Sequence, residues 1–155
     1  MWNPKKSVKL SIYVCYSLAA ILVILAVGGP RLFNMYMTSF RGFAPDGEVL
    51  QKIRTVFCAC FYPSAVFAGI IIYSLIKLLH NIKNDKIFIS QNVNCLRSVS
   101  WCCFVIALIT FAGGFFYMPF MFVAAAGGFV GMLLRVLKNV MQTAVILREE
   151  NDLTI

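Results

Sequence analysis

Acidic side chains are scarce in this chain. Six of its 155 residues are Asp or Glu, against 14 Lys and Arg, and there is one histidine. The acids are Asp46, Glu48, Asp85, Glu149, Glu150 and Asp152, and none lies inside a long apolar stretch. A proton or ion pathway usually carries an ionisable group at membrane depth, so this distribution argues against a proton-coupled transporter while leaving open a carrier of apolar molecules. The lone His80 stands beside Lys77 and Lys83 and reads as a solvated side chain. It cannot complete a Ser-His-Asp or Cys-His set. No phosphate-cradling loop or zinc motif is present. No enzymatic activity, metal or cofactor is therefore expected.

Charge of either sign is missing over long runs. Charged residues make up 13% of the chain and hydrophobic ones 61%. Soluble domains carry about a quarter charged residues. A chain this short cannot hide so much apolar surface in one water-soluble core, and lipid is the natural solvent for the excess. The expected architecture is all-α: a single integral membrane domain over 1–155, built as a four-helix bundle, with spans near 10–29, 55–77, 98–116 and 120–138. An extension of the fourth helix and a tail would occupy 139–155.

The first uncharged stretch, Leu10–Gly29, follows a basic arm with Lys5, Lys6 and Lys9. It resembles a signal peptide only superficially, because the apolar core is too long and no small-x-small cleavage pattern follows. An uncleaved helix ended by Gly28-Gly29-Pro30 is expected. The connection from Pro30 to Arg54 is polar but holds Phe33, Tyr36, Phe40 and Phe43, which suggests a loop or short helix at the membrane interface. Asp46 is the expected N-cap of the next helix. The second span is uncharged from Thr55 to Ile76, with Pro63 expected to kink it or open a gap in its hydrogen-bond ladder. Ser90 is the expected N-cap of helix three.

Arg97 and Arg135 enclose 37 uncharged residues. As one helix these would exceed about 50 Å, too long for a hydrocarbon core of about 30 Å, so the segment must fold back. Tyr117-Met118-Pro119 is the best turn, with Pro119 opening helix four and a short outer hairpin resulting. Beyond Leu134 the pattern is amphipathic. Val136, Leu137, Val140, Met141, Ala144 and Val145 share one side, and the helix is expected to project to about Glu150.

Orientation follows from Lys and Arg. With both termini in the cytoplasm, ten basic residues lie inside (Lys5, Lys6, Lys9, Lys77, Lys83, Lys86, Arg97, Arg135, Lys138, Arg148) and four outside (Arg31, Arg41, Lys52, Arg54). Ten against four favours this orientation. The net charge of +8 is then topogenic, with a basic surface for an acidic partner or lipid as the alternative, and no direct nucleic-acid binding is expected. The six cysteines lack metal or redox spacing and are expected to be reduced and structural. Gly127-x-x-x-Gly131, with Gly128 and Ala124 to Ala126, forms a small-residue face that permits close helix approach. Packing within the domain is the simpler use of it, a homodimer seam the sharper one, and with Pro63 it could line a cleft.

Two segments look familiar together. One is Ile87-Phe88-Ile89-Ser90-Gln91-Asn92-Val93-Asn94-Cys95-Leu96-Arg97. The other is Leu134-Arg135-Val136-Leu137-Lys138-Asn139 leading to the acidic end Glu149-Glu150-Asn151-Asp152-Leu153-Thr154-Ile155. They resemble the small four-span bacterial family known as domain of unknown function 2975. Here Ile89 stands between Phe88 and Ser90, and Asp85-Lys86 stands where a glycine is common. The resemblance implies a bacterial inner-membrane protein. It also implies a partner, since members are often encoded beside a small helix-turn-helix regulator.

The expected function is a binding and regulatory protein that anchors such a regulator. The residues expected at the partner are Phe88, Asn92, Arg97, Arg135, Lys138, Glu150, Asp152, Leu153 and Ile155. The alternative is a small transporter or immunity-type subunit that handles an apolar small molecule, lipid or peptide.

Overall fold

A computed structural model describes residues 4–42, 47–84 and 86–152 of the chain. Four helices account for almost all of these: α1 Pro4–Arg41, α2 Glu48–Lys83, α3 Ser90–Gly114 and α4 Pro119–Asp152. All four are long and apolar enough to cross a membrane, as expected of a multi-pass membrane protein. Helices suit that solvent because they satisfy every backbone N–H and C=O within the segment.

The helices run up and down and pack in chain order, α1 on α2, α2 on α3, α3 on α4. Among the described residues, no backbone approach joins α1 to α3 or α4, or α2 to α4. The all-α four-helix bundle is therefore an open row rather than a closed square. Its surface reflects this. A soluble monomer of 17.4 kDa exposes about 7,900 Å², whereas this chain exposes 10693 Å². Much of that surface is apolar side chain such as Val27, Leu108 and Phe122, which lipid tails can cover.

One end of the row is aromatic. Phe33 stacks on Phe57 with ring centroids 4.2 Å apart. Phe57 in turn stacks on Phe61 and Phe120, and Tyr117 meets Phe33 and Phe120 edge-on. Phe33, Met37 and Leu50 are buried beneath this cluster. It explains the first departure from expectation. The sequence places a helix end at Gly28-Gly29-Pro30, yet α1 runs through Pro30 to Arg41. Proline in a helix interior loses a hydrogen bond and crowds the preceding turn. Here the turns beyond it bring Phe33 and Met37, four residues apart, onto the first turns of α2, and that burial holds the helix past the proline. Helix α1 ends instead at Gly42, whose φ of 67° is the left-handed conformation that glycine adopts at a helix C-terminus.

The capping expectations also shift. The residue before α3 is Ile89, and Ser90 is already helical without a side-chain cap. The cap position of α2 is Gly47, while Asp46 lies outside the described residues. Pro63 lies on the exposed side of α2, which continues helical past it.

The α3–α4 hairpin turns where expected. Helix α3 ends at Gly114, α4 begins at Pro119, and the amides of Phe116 and Tyr117 both donate to the Gly113 carbonyl. A methyl on Gly113 would lie 2.6 Å from the Cys60 sulfur and 2.8 Å from the Phe120 ring, and one on Gly114 would lie 2.8 Å from the Met121 side chain. A side chain at either position would force its neighbours to shift.

The α3–α4 seam is set by the sequence Ala124, Gly127, Gly131, Leu134, Lys138, Met141, Val145. These positions alternate three and four residues apart and are all buried or half-buried. Gly127 and Gly131 sit against Ala107, Cys103 and Phe104 of α3, so this small-residue face packs within the chain. Gly128 faces open space and takes no part. The expected apolar side of the extension rotates accordingly. Met141, Ala144 and Val145 turn inward, whereas Val136, Leu137 and Val140 are exposed, because the three-four spacing of the seam fixes which face α4 presents.

Candidate functional site

The end opposite the aromatic cluster carries the α2–α3 loop, the start of α3 and the last turns of α4. The loop is built around two asparagines. The amide of Asn81 donates to the Asn92 side-chain oxygen at 2.7 Å and to Gln91 at 3.3 Å. The Asn92 amide donates to the carbonyls of Lys86 and Ile87, both at 2.8 Å. The backbone closes the same loop, with Lys86 N–H donating to the Asn81 carbonyl at 3.0 Å. Asn92 is completely buried. Its three hydrogen bonds fasten an irregular segment to two helix ends, leaving Ile87 and Phe88 displayed, each somewhat under half exposed.

Asn92 was expected among partner-touching residues, and its placement corrects that. Its side chain is fully buried and hydrogen-bonded to Asn81 and to the Lys86 and Ile87 carbonyls, so it holds the loop from within rather than lying at the surface. Asn81 was not singled out in the sequence. A polar residue near a helix end is unremarkable, and only its spacing from Asn92 across a short loop could have hinted at the pair.

Deeper along the same end lies a second feature. Arg97 and Trp101 share one face of α3 at i and i+4, and Arg135 and Lys138 share one face of α4 at i and i+3. With Ser100 they line a small polar cavity of about 70 Å³. The Ser100 hydroxyl donates to the Gly131 carbonyl at 2.8 Å and ties the helices together at this level. The Arg135 guanidinium sits over the Trp101 ring, 5.4 Å from its centroid, within cation–π range. Among the described residues no carboxylate pairs with Arg97, Arg135 or Lys138. Neither Ser100 nor Trp101 is among the residues expected at the site, although Trp101 stands one turn from Arg97 and tryptophan favours membrane interfaces.

The expected partner set therefore divides. Arg97, Arg135 and Lys138 come together in the cavity. Phe88 belongs to the loop. Glu150 is exposed on the last turns of α4. Asp152 closes α4 in backbone, and Leu153 and Ile155 lie outside the described residues.

Cys15, Cys95, Cys102 and Cys103 are buried, and the Cys60 thiol reaches the Ile109 carbonyl on α3 at 3.8 Å. All six are free thiols.

No curated protein and no solved structure matches this chain. Residues 43–155 match the family described as protein of unknown function (DUF2975). That match takes in α2, α3 and α4 entire, with both the fastened loop and the basic cavity, and the chain belongs to the DUF2975 family.

Proposed function

We propose that this is a binding and regulatory protein of the bacterial inner membrane, with both termini cytoplasmic, that holds a small helix-turn-helix regulator against its basic end. The observation that carries the reading is the Asn81–Asn92 fastening. The chain commits a fully buried amide to fixing a loop whose outward product is two apolar side chains, Ile87 and Phe88. A projection ordered in advance loses little entropy on docking, which is what a protein-binding surface needs.

Two features support it. Helix α4 has 34 residues, about 51 Å, so it extends well past a hydrocarbon core of about 30 Å. Its last turns carry exposed Ile146 and Leu147 beside Glu149 and Glu150. The ten-to-four distribution of Lys and Arg favours this end on the cytoplasmic side. The class of partner comes from the family resemblance.

The test is affinity isolation of the tagged, full-length protein from native membranes. A stoichiometric soluble DNA-binding protein should be retained by the natural chain and lost with Phe88→Asp. Deleting residues 151–155 should also release it, without loss of membrane insertion. Retention of the partner at full affinity by Phe88→Asp, or the absence of any such partner, would sink the reading.

A further inference from the structure

Above the basic cavity, towards the membrane centre, the α3–α4 seam opens into an apolar groove of about 690 Å³. Trp101, Phe104, Leu108, Phe111, Met121 and Ala125 are among its lining. Trp101 also lines the basic cavity, so one indole ring borders both spaces. From Trp101 to Phe111 the groove follows ten residues of helix, about 15 Å, or half a hydrocarbon core of about 30 Å. We propose that this composite site holds an anionic phospholipid of the adjacent leaflet. Its phosphate sits among Arg97, Arg135 and Lys138, and an acyl chain lies along Trp101, Phe104, Leu108 and Phe111.

Charge complementarity selects the occupant. Three cations share the cavity, and among the described residues no carboxylate answers them. Lys138 is half-buried in a seam position that is otherwise small or apolar, and Arg97 and Arg135 are exposed, within reach of a headgroup. Glu149 and Glu150 stand eleven and twelve residues further along α4, about 17 Å away. A phosphate diester supplies the missing charge and accepts the forked hydrogen bonds that arginine offers. Basic pockets between membrane helices bind anionic headgroups in this manner. The apolar groove distinguishes a lipid from free phosphate, because only an amphiphile fills both parts. The site is separate from the exposed loop and does not depend on the regulator proposed above.

The experiment uses the full-length protein in nanodiscs, with Trp2→Phe so that Trp101 is the sole tryptophan. Brominated acyl chains quench a tryptophan they touch. Brominated phosphatidylglycerol, diluted into phosphatidylcholine, should quench Trp101 at mole fractions where brominated phosphatidylcholine does not. The triple variant Arg97→Gln, Arg135→Gln, Lys138→Gln should shift that dependence by about a hundredfold, taking each basic residue near the surface as worth about a factor of five. Lys77→Gln with Lys83→Gln, which removes charge elsewhere on the same end, should shift it little. Inorganic phosphate and glycerol phosphate should compete only weakly. Equal quenching by the two brominated lipids, an unshifted triple variant, or full competition by inorganic phosphate would each overturn the proposal.

Discussion

Replacing Asn92 by alanine removes three hydrogen bonds at once: the one its oxygen accepts from Asn81 and the two its amide donates to Lys86 and Ile87. A typical bond contributes about 1 kcal/mol net, so the ceiling is about 3 kcal/mol. The actual loss should be smaller, about 1.5–2.5 kcal/mol, since Lys86 and Ile87 are exposed and water can reach their carbonyls. The half-buried Asn81 amide keeps Gln91 as an acceptor at 3.3 Å. Asn92→Asp should be worse than alanine. It keeps the acceptor but aims a buried carboxylate at two carbonyl oxygens, which desolvation and repulsion both oppose. Thermal unfolding in detergent gives the global cost, and hydrogen exchange of the Lys86 amide reports the loop. The double variant with Asn81→Ala should cost less than the two single changes added, because they share a bond. Unchanged exchange at Lys86 in Asn92→Ala, or strict additivity with Asn81→Ala, would refute the claim that this pair fastens the loop.

Other substitutions test the helix seams and the orientation. Gly114→Ala meets Met121, including its backbone nitrogen at 3.2 Å, and should cost about 1–3 kcal/mol in detergent unfolding. Gly128→Ala meets nothing within 4 Å and should be neutral or stabilise by up to about 1 kcal/mol. Ser100→Ala gives up the bond to Gly131, worth about 0.6 kcal/mol between membrane helices, and a denaturation midpoint indistinguishable from the natural chain would show that this tie is idle. Reporter fusions should place both termini in the cytoplasm, and a C-terminal reporter active only outside would reverse the assignment of the basic end.

How much was legible depended on whether a residue acts through its neighbours in sequence or across space. The span count, the hairpin at Tyr117–Pro119 and the helical extension of α4 follow from charge-free length and from proline at a helix start, both local properties. The end of α1 is not legible locally, because Gly28-Gly29-Pro30 is a strong stop signal. The contacts that override it, Phe33 and Met37 on Leu50 and Phe57, involve residues 13 to 24 positions apart. Asn92 stands in a recognisable motif, yet nothing in a linear sequence tells a buried amide that fastens a loop from an exposed one that greets a partner. The basic cavity lay between these cases. Arg97, Arg135 and Lys138 were each marked by breaking an apolar run, yet their meeting depends on the antiparallel register that pairs Ser100 with Gly131. That register is fixed by the glycines themselves. Gly127 and Gly131 let α4 approach α3, Gly113 and Gly114 let the chain return at once, and the tight return leaves no freedom to slide one helix along the other. The same glycines that look like mere packing in the sequence thus decide which cations share a cavity.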